Sequence, residues 1–297
     1  MSILAFEELV RYFRHGHNVL DGVTFQVDAG EVVGLLGRNG AGKTTLIQIA
    51  LGVLHAQAGR TKVLGLDPAV EPLQIKRQIG YVAEDQILPE YLEVNEVLTL
   101  HRGLFKDWDT ELEKELLGRF HLRADAKIKE LSKGEARQVA LLCAVSHRPR
   151  LLLLDEPAGG LDPSVRREFL ETSIQLLNDA GTTILFSSHY MTDVERMADR
   201  VVMLHGGKVL VDDALDDLQE RFSMVLLPLD GGMTEDRARA LPGCIAVRRR
   251  NGSIHAILRM GKEEGLQAAR QAMGDGDFRC ETIPLEEMFI ELLGGRP

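Results

Sequence analysis

The chain is poor in cysteine and in positive charge, and it has no long hydrophobic run. Its three cysteines, Cys143, Cys244 and Cys280, lie far apart. No pair has metal or redox spacing, which argues against a disulfide framework and for unpaired thiols in a reducing compartment. Lysine and arginine number 35 against 45 acidic residues, a formal net charge of -10. An extended nucleic-acid footprint is therefore not expected, and only a local basic patch is left open. The one tight basic run, Arg248-Arg249-Arg250, precedes Asn251-Gly252 and reads as a solvated strand end at a hairpin turn. No apolar run reaches the roughly 18 residues that a membrane span needs. The first residues lack the charged-then-apolar pattern of an export leader. Any membrane role must come through a partner. What the chain does have is 297 residues with 44% hydrophobic content, enough for one large α/β domain and a smaller one.

The most informative stretch is Gly37-Arg38-Asn39-Gly40-Ala41-Gly42-Lys43-Thr44-Thr45. It fits G-x-x-x-x-G-K-[ST], the phosphate-binding P-loop. An apolar run before it reads as a buried strand, and the run after it reads as a helix start, which is the context the motif requires. Glycines let consecutive N–H groups curl toward phosphate oxygens, and the helix adds the positive end of its dipole. Lys43 is expected on the β- and γ-phosphates and the Thr44 hydroxyl on Mg²⁺, with Thr45 supporting the helix start. Asn39, Gly40, Ala41 and Gly42 supply the cradle. The spacing is not G-x-G-x-x-G, so a dinucleotide site is not expected.

Residues 3–33 alternate like strands joined by turns, and residues 62–64 and 79–82 read as further short strands. From about 89 to 145 the pattern turns helical, with three- and four-residue apolar spacing over 96–104 and 109–120. Leu151-Leu152-Leu153-Leu154 and residues 182–186 read as buried strands around an amphipathic helix over 164–177. Residues 201–211 form a hairpin through Gly206-Gly207. A boundary near Arg221 separates residues 1–221 from residues 222–297, whose order β-α-β-β-α-β plus a last helix predicts a small ferredoxin-like α+β module. His15-Gly16-His17 is read as a loop in preference to a metal site.

Asp155-Glu156 ends the apolar strand with two carboxylates. In a P-loop ATPase the first holds the Mg²⁺ shell and the second activates the attacking water. Leu131-Ser132-Lys133-Gly134-Glu135 precedes that strand and opens a helix. It resembles the signature motif of ATP-binding-cassette (ABC) ATPases, commonly Leu-Ser-Gly-Gly-Gln. The order of P-loop, signature, Asp155-Glu156, Gly160-Leu161-Asp162 and Ser188-His189 resembles the nucleotide-binding subunit of ABC transporters over about residues 3–220.

The resemblance implies an α/β fold with a mixed sheet core, an antiparallel β part and a helical subdomain over about residues 86–147. It implies ATP and Mg²⁺ as cofactors. Phe13 or Tyr12 stacks on adenine, Phe13 being favoured. Asp162 lies in a D-loop and His189 hydrogen-bonds the γ-phosphate. Two subunits, alike or related, sandwich ATP head to tail, so Ser132, Lys133, Gly134 and Glu135 serve the neighbour's site. The Q-loop and helical segment line the groove where a membrane subunit docks.

Three positions depart from the common pattern. The Q-loop glutamine is replaced by Glu84, with Gln86 two residues on, and which of the two acts as sensor stays open. Glu84 could also approach Mg²⁺ as an oxygen ligand. The signature carries Lys133 for glycine and Glu135 for glutamine, and Ser132-x-x-Glu135 is also a capping box. Ala158 stands where threonine or serine is frequent. The Tyr81–Gln86 stretch, Leu131-Ser132-Lys133-Gly134 and the ending Pro284-Leu285-Glu286-Glu287-Met288-Phe289-Ile290-Glu291-Leu292 resemble ATPases serving ABC-2-type permeases, mostly bacterial exporters. The expected protein is such an ATPase, cytoplasmic and peripheral at the inner face of a bacterial membrane. The alternative is a non-transport ABC ATPase acting as a regulatory switch.

Overall fold

Parallel strands buried on both faces organise the first part of the chain. The computed structural model describes residues 1–14, 16–85, 88–178, 181–229, 234–250, 252–274 and 278–292. Two long strands, β1 (Ser2–Arg14) and β2 (His17–Asp28), pair antiparallel. After β3 (Val32–Gly37) and helix α1 (Lys43–Ala50), strand β4 (Ala58–Val63) joins the other edge of β1, giving a three-stranded antiparallel sheet β2-β1-β4.

A short helix α2 (Pro72–Lys76), with proline in its first turn, leads into β5 (Ile79–Val82). The helical segment follows as α3 (Val94–Leu104), α4 (Thr110–Arg119) and α5 (Lys133–Val145). Its caps explain its boundaries. Glu93 and Glu96 close a capping box on α3, and the Asp109 carboxylate accepts from the N–H groups of Glu111 and Leu112 on α4. Then come β6 (Leu151–Asp155), α6 (Pro163–Asn178), β7 (Thr183–Ser188), α7 (Met191–Met197), β8 (Arg200–His205) and β9 (Lys208–Ala214). Gly206 and Gly207 both have positive φ, 56° and 77°, as a two-residue hairpin between β8 and β9 requires.

The central sheet has the order β5-β6-β7-β3-β8-β9. Every residue of β3, β6 and β7 is buried, as expected for strands covered on both faces. Strand β7 runs two residues beyond the apolar run seen in the sequence, because the parallel ladder continues through Leu35–Ser187 and Leu36–Ser188. The phosphate loop, Asp155-Glu156 and Ser188-His189 therefore follow the carboxyl ends of three adjacent parallel strands, where α/β sheets place their ligands.

The chain divides into units at Asp212/Asp213. This is earlier than the boundary read near Arg221. Helix α8 (Leu215–Arg221) belongs to the second unit: Arg221 pairs with Asp213 at 2.6 Å, and a Cβ on Gly261 would stand 2.8 Å from the Glu220 carbonyl. The second unit continues with β10 (Ser223–Pro228), α9 (Glu235–Arg239), β11 (Cys244–Arg250), β12 (Ser253–Leu258), α10 (Lys262–Met273), β13 (Arg279–Thr282) and α11 (Leu285–Leu292). Its sheet order is β11-β12-β10-β13 with antiparallel pairing throughout, the ferredoxin-like arrangement. Arg250 is not simply a solvated strand end, since it pairs with Glu287 of α11 at 2.6 Å. Asn251 lies outside the described residues, as does His15. All three cysteines are free, and burial pushes the Cys143 thiol up to about 12.

Candidate nucleotide site

At the carboxyl end of β3 the chain curls into the phosphate loop. Gly42 has φ 106°, and a Cβ there would stand 2.6 Å from the Leu20 side chain. Only glycine satisfies both conditions. The N–H of Ala41 turns back to the Arg38 carbonyl at 3.0 Å, and α1 starts at Lys43. The first N–H groups of a helix have no intrahelical acceptor, so the loop presents donors and a positive dipole end.

The loop lines a cleft of about 370 Å³ together with Phe13, Val19, Glu84 and Glu156. All of Asn39, Gly40, Ala41, Gly42, Lys43, Thr44 and Thr45 line it. Thr44 is exposed, whereas Thr45 is buried under the helix start. Phe13, 58% exposed as a residue, lines the cleft, and the Arg11 guanidinium lies 4.6 Å from its ring centroid. Tyr12 does not line the cleft; its backbone is tied to the Gln57 side chain. Alternation along β1 separates the two rings, since neighbouring residues of a strand face opposite ways.

Lys43 and Glu156 are buried together. The Lys43 ammonium donates to the Gly37 carbonyl at 2.6 Å and stands 3.1 Å from Glu156 Oε1. That oxygen lacks a well-directed hydrogen bond, so its contact with Lys43 is chiefly one of charge. Glu156 Oε2 lies 2.8 Å from His189 Nδ1. Glu156 also has φ 45°, a left-handed conformation that costs a non-glycine residue on the order of 1 kcal/mol. Its N–H donates to Ser187 Oγ at 2.9 Å, and its carbonyl accepts from the Gly159 N–H at 2.9 Å. The same Ser187 hydroxyl donates to Asp155 Oδ1 at 2.7 Å. One serine thus fixes both carboxylate residues, as acceptor to one and donor to the other. Burial, and then the Asp155 charge, push the neighbouring Tyr81 phenol up to about 12.

His189 stacks against Tyr190, with ring centroids 3.9 Å apart, and the Arg166 guanidinium lies 3.8 Å from the Tyr190 ring centroid. Arg166 stands on α6, just after Asp162, and pairs with Asp193 at 3.5 Å. Burial raises the Asp193 carboxyl above its ordinary range in spite of that cation.

Ser132 caps α5. Its Oγ accepts from the Glu135 N–H at 3.2 Å, and Glu135 Oε2 accepts from the Ser132 N–H at 2.8 Å, the capping box read from the sequence. Those hydrogen bonds lower the Glu135 carboxyl. Neither Ser132, Lys133, Gly134, Glu135 nor Asp162 lines the cleft of its own chain. Gln86 lies outside the described residues.

Ser187, Tyr190, Arg166 and Arg137 were not singled out by sequence. Arg137 on α5 donates to the carbonyls of Ala83, at 3.1 Å, and Glu84, and it lies 3.5 Å from those of Glu156 and Gly159. Its partners are main-chain atoms, which leave no pattern of residue types to read.

Residues 20–159 match the ABC transporter family. The chain is 33% identical to the Nod factor export ATP-binding protein I of Rhizobium sp. (strain N33), over 93% of this chain and 92% of that one. It is 30% identical to the daunorubicin resistance ATP-binding protein DrrA3 of Streptomyces coeruleorubidus, over 93% and 91% of the two lengths. Among solved structures, an ATP-binding subunit of an ABC transporter superposes with a TM-score of 0.66 at 34% identity, covering 73% of this chain and 92% of that one. Such identity along nearly the whole of two ATP-binding proteins, on a chain whose phosphate loop heads a cleft with both strand-end motifs beside it, places the protein: it belongs to the ATP-binding subunits of ABC transporters, which bind and hydrolyse ATP.

Proposed function

We propose that two ATP-binding subunits, two copies of this chain or one with a related partner, close head to tail on two ATP molecules and drive a separate ABC-2-type membrane permease, in the direction of export. The observation that carries this reading is the division of the motifs. The phosphate loop, Glu84 and Glu156 line one cleft, whereas Ser132 and Gly134 lie outside it at the start of α5. A cleft completed by a neighbour's signature explains why this chain carries both parts.

Within the cleft Lys43 pairs with the β- and γ-phosphates and the loop N–H groups hold their oxygens. Phe13 stacks on the adenine. Thr44, Asp155 and Glu84 would hold Mg²⁺, each offering the oxygen ligands that suit it. The bound ion supplies positive charge at the phosphate oxygens. Glu156 takes the proton of the attacking water, and His189 hydrogen-bonds the γ-phosphate. Asp162, opening α6, meets the neighbouring subunit. Glu84 and Glu156 both line a cleft that takes a polyanion, so Lys43 and the loop N–H groups hold the phosphates against two carboxylates.

A second cavity of about 370 Å³ supports a membrane partner. Leu51, Val53, Tyr81, Leu104, Phe105 and His147 are among its lining residues, and Val53 and Leu104 are 57% and 71% exposed. It lies between β5, which feeds the Q-loop, and the helical segment. No helix among the described residues is long and apolar enough to cross a membrane. Docking on a permease puts the protein at the inner face of the membrane of a bacterium. The Rhizobium relative is named for export, which supports the direction.

The test is the Glu156→Gln variant. It should elute as a dimer with ATP and Mg²⁺ and as a monomer without them, and affinity capture from solubilised membranes should recover a multi-span membrane protein. A monomer under both conditions with no second ATP-binding subunit in the captured complex, or recovery of ribosomes or DNA alone, overturns the reading.

A further inference from the structure

We propose that Arg137 is a positioning residue that ties the signature helix to the two segments delivering Glu84 and Glu156 to the cleft. The inference rests on Glu156 acting as the base. Arg137 stands in the second turn of α5, whose cap is Ser132. Its guanidinium is half-buried, and among the described residues it makes no ion pair. Instead its two terminal nitrogens divide between two loops. Nη1 donates to Ala83 O at 3.1 Å and lies 3.5 Å from Glu156 O. Nη2 donates to Glu84 O and lies 3.5 Å from Gly159 O.

These carbonyls belong to the segments that matter most for the chemistry. Ala83 and Glu84 follow β5, and Glu84 lines the cleft. Glu156 and Gly159 bound the turn in which Glu156 holds its left-handed φ. Ser187 holds that residue by its N–H, and Arg137 stands against its carbonyl side. Burial lowers the guanidinium pKa, while the charges of Asp85 and Glu84 work in the opposite direction. A planar fork holds donors toward two loops from separate nitrogens in a fixed geometry, which the single nitrogen of an ammonium does not. Any displacement of α5 is therefore passed to the Q-loop and to Glu156 through one side chain. Because Ser132 on that helix belongs to the neighbour's site in the proposed dimer, closure over one ATP would adjust the base at the other.

The experiment uses the full-length chain with Mg²⁺-ATP. Arg137→Met should lower kcat by about tenfold to a hundredfold, the cost of a misplaced catalytic group. The dissociation constant of a fluorescent ATP analogue should stay within about threefold, since no phosphate contact is removed. Arg137→Lys should recover only part of the rate and keeps the test open if the methionine variant fails to fold. A kcat within about twofold of the parent in the folded variants overturns the proposal. So does loss of rate and of nucleotide affinity together with loss of a cooperative melt in both variants, which marks a merely structural prop. Glu156→Gln is measured alongside. If it turns over normally, the base assignment fails and this inference with it; if it is inactive while Arg137→Met is not, only the role of Arg137 fails.

Discussion

Lys43 and Glu156 face each other at 3.1 Å, each with a side chain 6% exposed. Nucleotide binding must therefore take Lys43 from a carboxylate and give it to phosphates. Glu156→Gln removes the competitor as well as the proposed base. Its ATP affinity should rise while kcat falls by about 10²- to 10⁴-fold, the usual worth of a general base. Equilibrium binding and single-turnover hydrolysis measure the two effects separately. Unchanged hydrolysis removes Glu156 from the mechanism.

Lys43→Ala strips the same pair from the other side. ATP affinity should fall, and the carboxylate left behind is buried without its cation. Breaking a buried pair in this way costs on the order of 3–5 kcal/mol. Thermal melting should therefore drop by several degrees, and the double variant Lys43→Ala/Glu156→Gln should regain part of the loss. If the two changes simply add in a denaturant titration, the buried pair has no coupling energy.

Much of this site was legible because its chemistry is written in residue types. Gly42, Lys43 and Thr44 stand in register in one motif and line one cleft, and Asp155 and Glu156 follow from the apolar strand that ends there. The capping box of Ser132 and Glu135 was equally visible, because both partners lie within one helical turn. Arg137 was not, since its acceptors are carbonyls 19 to 54 residues away that any residue could supply. Ser187 escaped for a different reason. It lies just past the apolar run over residues 182–186, and only the register Asp155–Ser187 sets its hydroxyl beside the acids. Between Asp212 and Arg221 the sequence pattern marks no clear break, because α8 is short and its allegiance is decided by the Asp213–Arg221 and Glu220–Gly261 contacts.

Ser187 also yields a prediction. Ser187→Ala leaves a buried Asp155 oxygen without its donor and the Glu156 N–H without its acceptor. The expected loss is about 1–3 kcal/mol for each group left unsatisfied. Because Glu156 is also released from its left-handed conformation, kcat should fall more than ATP affinity. A variant with normal kcat and lowered stability would show that Ser187 props the strand and does not place the acids.

Glu84 contributes a negative charge to the cleft where the common pattern has an amide. Glu84→Gln should raise affinity for metal-free ATP by about two- to tenfold, the scale of one exposed charge a few ångströms away. The gain should shrink as Mg²⁺ is added if the carboxylate helps to hold the ion. Titration of an ATP analogue at several Mg²⁺ concentrations checks both parts. An unchanged Mg²⁺ dependence removes Glu84 from the metal's surroundings.

The single tryptophan offers a pH readout of the helical segment. Trp108 Nε1 donates to Glu113 Oε2 at 2.8 Å, and Arg102 grips the same carboxylate with two bonds of 2.8 Å. Burial alone would raise the Glu113 carboxyl. The hydrogen bonds of Arg102 and Trp108 and the Arg102 charge outweigh it and leave the group below its ordinary 4.5. For a carboxyl depressed on folding, the stabilisation is complete above the unfolded value and disappears as pH falls through the folded one. The indole emission should therefore hold steady from neutrality down to about pH 5 and shift below 4.5 as Glu113 protonates and releases the indole. Glu113→Gln should be less stable at pH 7, because Arg102 loses its charged partner, and its melting temperature should change less with acid than that of the parent. A parallel fall of the two melting curves between pH 6 and about pH 3.5 would mean that another carboxylate governs acid unfolding.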